Sequence, residues 1–105
     1  MLISATEAKE RSKAASDAKS EIAEKIVKEE VLPGINEGIL QASAEGEREV
    51  RALIEIESQY KIQILQELQA ILHDNNYYVS ILEAENYTTF WRQIPMTKIL
   101  IRVSW

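Results

Sequence analysis

The chain has 105 residues, no cysteine, one histidine and a formal net charge of -5. Without cysteine it has no disulfide framework, thiolate zinc site, iron–sulfur cluster or cysteine nucleophile. Its acidic balance argues against a general binder of double-stranded nucleic acid, which needs clustered Lys and Arg. The length predicts one domain over residues 1–105.

No apolar stretch approaches the roughly 18 residues that would span a bilayer. The N-terminal sequence MLISATEAKERSKAAS is charged within a few residues and has no apolar signal core. We therefore expect a chain without a membrane segment, located in the cytoplasm.

A long helix opens the chain. Ser4 and Glu7 have the spacing of a capping box, and the following sequence is rich in Ala, Glu and Lys. An apolar stripe this thin buries little area, so residues 1–30 are expected to project or to pair with a copy of the same helix. The candidate oligomerisation residues are the stripe itself: Ala8, Ala15, Ala18, Ile22 and Ile26.

Pro33-Gly34 interrupts the helical pattern. Proline removes one backbone hydrogen bond, yet apolar residues continue at intervals of four from Val27 to Ile39. Two alternatives fit: one helix kinked at Pro33, or two helices with Pro33 in the first turn of the second. Helical character is expected to end near Glu45, with Gly46 as a left-handed C-cap.

Periodicity predicts the elements that follow. Residues 48–56 alternate and read as a strand with one buried face, and Ser58 is a candidate cap for a helix from Gln59 to about His73. Two further strands are expected at residues 77–82 and 98–105. Within residues 83–97, the segment 87–91 has strong β-propensity and is either a short extra strand or a hairpin arm. Pro95 disfavours a central strand there.

The predicted fold class is α+β. After the N-terminal helix, the order β-α-β-β requires a parallel crossover between the first two strands, and the last strand returns antiparallel. We expect a small mixed sheet with one face covered by the helix at residues 59–73.

Aromatic residues and arginine cluster in the last third of the chain. Both are favoured at binding surfaces, although aromatics also fill cores. Two adjacent large aromatics, Phe90 and Trp91, cannot both face inward on a regular strand. The candidate partner-binding residues are Tyr87, Phe90, Trp91 and Arg92.

No catalytic or metal-binding constellation is evident. His73 is the single histidine and a candidate general base or ligand, but a histidine at a helix end is also favourable there for electrostatic reasons. The acidic run between Glu45 and Glu57 alternates with Arg48 and Arg51 and matches no calcium loop. We expect no cofactor and no enzymatic activity. An enzyme using His73 with a nearby carboxylate is the weaker alternative.

The chain resembles a loose group of small phage- and prophage-encoded proteins. The resemblance lies in Thr6–Arg11, in Gly46–Val50 and in the ending Ile101–Trp105, whereas Pro33-Gly34 and residues 83–97 depart from it. It implies a viral accessory protein and carries over no catalytic residues.

The hypothesis is therefore a non-enzymatic, phage-like protein that binds a host protein or a small anionic ligand, as a homo-oligomer, in the host cytoplasm and in counter-defence. The alternative is a small structural or assembly component of a viral particle.

Overall fold

The computed structural model describes residues 2–105 and contains a long helical segment, a strand, a helix and two strands. This architecture confirms the α+β class. The elements are α1 (Ala5–Ile26), a π-helical turn (Val27–Val31), α2 (Leu32–Ala44), β1 (Glu49–Glu57), a 3-10 turn (Ser58–Tyr60), α3 (Lys61–Asp74), β2 (Tyr78–Thr88) and β3 (Pro95–Ser104).

The three strands form one sheet in the order β1-β3-β2. Strand β3 pairs antiparallel with both neighbours, so β1 and β2 run parallel to each other without pairing. The antiparallel return of the last strand is confirmed. The expected mixed sheet is wrong, because the crossover through α3 leaves a gap between β1 and β2 and β3 fills it.

One face of the sheet carries the hydrophobic core. On β3 the side chains of Ile99, Ile101 and Val103 have no solvent exposure. Helices α2 and α3 and the end of α1 cover this inner face. The other core residues are Ala23, Val27, Val31, Ile35, Ile39, Ile54, Ile56, Ile64, Leu68 and Leu72.

The helix passes through Pro33 without ending. The Leu32 N–H donates to the Val27 carbonyl, five residues back, which makes the turn before the proline π-helical. A proline ring crowds the carbonyl four residues earlier, and a wider turn relieves that crowding. The wider turn also offsets the rotation that a four-residue spacing accumulates in a regular helix, so all four apolar residues stay buried: Val27, Val31, Ile35 and Ile39.

The helix ends follow the predicted signals only in part. The Glu7 N–H donates to Ser4 Oγ at 3.1 Å, but the Glu7 carboxylate binds Arg11 and does not return to Ser4. Gly46 has φ +82°, as a left-handed C-cap requires. Ser58 does not cap α3, because its hydroxyl bonds to Thr97.

Strand β2 is longer than its predicted span of residues 77–82. It continues to Thr88 through an irregularity between Ile81 and Glu83, and it forms a hairpin with β3. Pro95 opens β3, the central strand, at its first residue, where a missing N–H is tolerated. The segment 83–97 is therefore mostly paired strand.

The N-terminal part of α1 projects from the sheet. Ala23 is the first buried residue in α1, so the helix upstream of it extends roughly 27 Å at 1.5 Å per residue. The molecule measures 63 × 35 × 22 Å and has a radius of gyration of 16.7 Å. A compact chain of this length would have a radius of gyration of about 13 Å.

Thr97 is the buried polar residue of the inner face. Its hydroxyl lies 2.8 Å from Ser58 Oγ and 2.9 Å from Asn86 Oδ1, so it joins the 3-10 turn to strand β2 across β3. At this position the inner face is held by hydrogen bonds between polar side chains, whereas its other buried residues make apolar contacts.

Thr97→Val is expected to lower the free energy of unfolding by about 1–2 kcal/mol, because it removes the hydroxyl that links Ser58 to Asn86. Urea unfolding measures the change. Thr88→Val, at an exposed position near the hairpin end, serves as the matched control. Equal stability of the Thr97→Val and Thr88→Val chains would contradict a structural role for the hydroxyl.

Candidate functional site

The most exposed aromatic side chains of the described residues sit together at the tip of the β2–β3 hairpin. Phe90 is 85% exposed and Trp91 is 90% exposed. Their rings meet edge to face, with centroids 5.1 Å apart and planes at 86°. The prediction placed at least one of them outside the core, and the structure exposes both because both lie in the turn between the strands.

The connection that carries these rings has defined hydrogen bonds. The Thr89 N–H donates to Ile94 O at 3.1 Å, and the Ile94 N–H donates to Thr89 Oγ1 at 3.0 Å. The Gln93 N–H donates to Thr89 O, and Gln93 takes the left-handed conformation with φ 48°. The backbone of Thr89 to Ile94 is thus closed on itself, and it holds the two rings outward.

Arg92 adds a positive charge to this hairpin tip (Phe90, Trp91 and Arg92). Its side chain is exposed, and no carboxylate of residues 2–105 lies within ion-pair distance of it. The segment 77–105 has three basic and two acidic residues, whereas 31–58 has two basic and six acidic ones. The hairpin end is therefore the part of the chain best suited to an acidic surface.

Tyr87 is brought to the outer face of the sheet rather than to the hairpin tip. Its hydroxyl donates to Glu55 Oε2 at 3.0 Å, and Lys98 Nζ lies 5.2 Å from its ring centroid. Partial loss of solvent, and then the hydrogen bond and the negative charge of Glu55, raise the pKa of Tyr87 above its ordinary value. Tyr87 thus links β2 to β1 across β3, and its hydroxyl is already occupied.

The other aromatics divide between core and surface. Tyr77 and Trp105 pack edge to face with centroids 6.1 Å apart, and both are half-buried against the core. Tyr78, at the opposite end of β2 from the hairpin tip, is 73% exposed. The core interpretation of the aromatics therefore holds for Tyr77 and Trp105.

The candidate acid–base and metal residues do not converge. His73 lies exposed in the last turn of α3. In the acidic run, Glu49 faces Arg102 and Glu55 faces Lys98, each pair at 3.9 Å. Over residues 2–105 no three His, Asp or Glu side chains lie close enough to share a metal ion.

The predicted oligomerisation residues lie along α1 in different environments. Ala15 and Ala18 are exposed, Ala8 is half-buried, and Ile22 is 42% exposed. Ile26 packs against the core. Four of the five residues remain accessible to a partner helix, and association through them stays a prediction.

Sequence reasoning missed a groove beside β1. It has a volume of about 360 Å³ and runs between the helical segment and the unpaired edge of the strand. Gly34 and Gly38 line its helical side, and Val50 to Ile56 line its other side. The signal was available in the sequence, since two glycines four residues apart inside a helix have no turn to explain them.

Comparison with protein-family models, with curated proteins and with solved structures found no match. No helix within residues 2–105 is both long and apolar enough to cross a membrane.

Glu55→Gln is expected to lower the pKa of Tyr87 towards its ordinary value, because it removes the negative charge beside the phenol. A pH titration of tyrosine absorbance, taken as the difference from the Tyr87→Phe chain, isolates this group among the four tyrosines. A difference curve that does not move in the Glu55→Gln chain would contradict the Tyr87–Glu55 contact.

Proposed function

We propose that this chain is a non-enzymatic binding protein that contacts a partner protein through the hairpin tip. The observation that carries the proposal is the pair of adjacent aromatic rings held outward at a closed turn. A buried aromatic side chain removes 150–250 Å² from water, so leaving two exposed forgoes several kcal/mol at about 25 cal/mol per Å². A partner that covers the rings recovers that free energy.

The composition of the hairpin tip indicates the chemistry of the partner. Trp and Arg are the residue types that most often dominate binding energy at protein interfaces. Phe90 and Trp91 suit an apolar pocket, and the charge of Arg92 suits an acidic group at its rim. The partner is therefore a folded protein with an apolar pocket bordered by Asp or Glu. Tyr87 supports the hairpin from the sheet side.

Self-association through the exposed stripe of α1 belongs to the same proposal. A helix of this length with one weakly covered side gains little from docking on its own sheet. A second copy would cover Ala15 and Ala18, which lie exposed on the projecting part.

The proposed biological setting of the chain rests on the resemblance of three of its segments to phage- and prophage-encoded proteins: Thr6–Arg11, Gly46–Val50 and Ile101–Trp105. On this proposal the chain is a phage-encoded accessory protein that acts in the host cytoplasm, where its partner is a host protein in the counter-defence setting. Its gene is then expected among phage genes, and a neighbourhood of unrelated bacterial genes would contradict that origin.

Trp91→Ala is expected to weaken partner binding about 30-fold or more, as loss of a central aromatic contact does. Immobilised wild-type, Trp91→Ala and Tyr78→Ala chains are compared for quantitative capture from a host lysate. Tyr78→Ala removes an exposed aromatic at the end of β2 opposite the hairpin tip and should retain every captured protein. Equal capture by the wild-type and Trp91→Ala chains would remove the hairpin tip as the contact site.

The Trp105→Phe chain has Trp91 as its single tryptophan, so its fluorescence reports directly on what binds the hairpin tip. Its fluorescence is expected to shift to shorter wavelength when the captured partner is added. A shift with anionic lipid vesicles, and none with protein, would contradict a protein partner and indicate a membrane surface.

Ala15→Arg combined with Ala18→Arg is expected to reduce the number of copies per assembly, because two charges then lie on the exposed stripe of α1. Sedimentation velocity of the full chain measures this number. The unfolding midpoint should stay within a few tenths of a molar urea, since neither alanine is buried. An unchanged assembly would contradict pairing through α1.

A further inference from the structure

Strand β1 presents an open backbone edge. It pairs with β3 over its whole length without a register shift, and β3 lies on one side of it only. The Trp105 N–H donates to Arg48 O at 3.0 Å, one step beyond the Glu49–Ser104 pair. Because the hydrogen-bonding direction alternates along an antiparallel strand, the even-numbered residues of β1 bond to β3 and the odd-numbered residues face the open edge.

The other outer strand, β2, is a poorer template for pairing. A register irregularity between Ile81 and Glu83 interrupts it, and such irregularities are one means by which proteins block edge pairing. Strand β1 has no such feature, and it carries Leu53 at its centre with 60% of the side chain exposed.

The side chains beside the open edge are self-complementary. The odd-numbered residues of β1 place Arg51 and Glu55 symmetrically around Leu53. When a second β1 lies antiparallel with Leu53 opposite Leu53, each Arg51 stands opposite Glu55 of the other copy. Directly opposed charges of opposite sign stabilise strand pairs, and so do opposed apolar side chains.

Shifting the register by two residues in either direction loses this match. One shift places Leu53 opposite Glu55, although Arg51 then lies opposite Glu57, and the other places Arg51 opposite Leu53 and Glu49 opposite Glu55. In the central register the outermost pair is Glu49 with Glu57, and Glu49 already has Arg102 at 3.9 Å in its own chain. Among these registers only the central one places Leu53 opposite Leu53 and Arg51 opposite a glutamate.

We propose that β1 pairs with β1 of a second copy of this chain, antiparallel about a twofold axis at Leu53, and joins two sheets into one of six strands. The interface differs from the hairpin tip and from the exposed stripe of α1. It takes a regular, unpaired edge and satisfies its outward N–H and C=O groups.

The groove beside β1 supplies the room that this dimer needs. A Cβ built on Gly38 would lie 3.1 Å from Val50, while Ile26 and Glu30 line the end of the groove near Ile56. Gly34 therefore lies level with the middle of β1, and a Cβ built on it would meet no atom within 4 Å. The twofold axis brings two α2 helices together on the same sheet face, and glycines allow close backbone approach.

Charge reversal tests the register. Arg51→Glu places like charges opposite each other twice and is expected to raise the dimer dissociation constant roughly tenfold. The double variant Arg51→Glu with Glu55→Arg should restore it to within about threefold of wild type. Positions 51 and 55 are about 13 Å apart along one strand, so a direct contact between them within one chain cannot produce the rescue. Sedimentation equilibrium of the full chain measures all three, and urea unfolding checks each fold.

Two matched variants complete the test. Gly34→Leu should abolish the dimer without loss of chain stability, because it fills open space at the axis, whereas Glu37→Leu on the exposed side of α2 should leave the dimer intact.

Leu53→Cys should be linked by a short bismaleimide at least tenfold faster than Ile62→Cys, since the chain has no other cysteine and Ile62 is similarly exposed.

The outcomes separate the possible occupants. A dimer that Arg51→Glu weakens and the double variant restores supports the β1 interface. A strict monomer at high micromolar concentration overturns the proposal, as does a monomer that binds only extended peptides at this edge. A dimer that ignores Arg51→Glu but dissociates in the Ala15→Arg and Ala18→Arg chain also overturns it and assigns association to α1. None of these results depends on the hairpin tip.

Discussion

The fold depends on one strand, β3, which comes last in the chain and lies in the middle of the sheet. It supplies the backbone hydrogen bonds of both neighbours, and its Ile99, Ile101 and Val103 form the fully buried row of the inner face. Strands β1 and β2 share no backbone hydrogen bonds, and the side-chain hydrogen bond from Tyr87 to Glu55 passes across β3. Until β3 is in place, β1, α3 and β2 are connected only through the chain and the helical layer.

This arrangement decides which surfaces remain available. A three-stranded sheet with a central last strand has two open edges, and the helices cover one face only. The outer face carries charged side chains, such as Glu55 beside Lys98, and is exposed to solvent. The β2–β3 hairpin extends past the helical layer, so its tip ends in solvent with two aromatic rings. The same topology therefore produces both surfaces for which binding is proposed: the hairpin tip and the edge of β1.

The elements were predictable where burial imposes a period, and less so elsewhere. The alternation of residues in β1 predicted its two faces correctly. Its inner residues are apolar because they pack on the core, and all its outer residues except Leu53 are charged. Strand β2 was predicted to end at Leu82, because Ala84 and Asn86 belong to the inner face but lie beyond the helices that would require apolar side chains there. The sheet order was not predictable from periodicity, since a parallel crossover with a gap and one without a gap leave the same pattern.

The candidate site shows the same division. The exposure of Phe90 and Trp91 followed from two large adjacent rings that no strand can bury together. The engagement of Tyr87 with Glu55 could not be predicted, because it depends on β3 separating their strands by one position. The π-helical turn before Pro33 likewise depends on which side of the helix the core occupies. Both of these features depend on tertiary contacts that leave no local pattern in the sequence.

Residue-resolved amide hydrogen exchange of the full chain tests the central claim most directly: that β3 satisfies one edge of β1 and a second copy satisfies the other. The N–H groups of Ala52 and Ile54 should be protected at every protein concentration, because they bond to β3. Those of Arg51, Leu53 and Glu55 should exchange rapidly in dilute protein and become protected as the concentration rises. Rapid exchange of these three amides at all concentrations would contradict pairing at this edge, and rapid exchange of Ala52 and Ile54 would contradict the central position of β3.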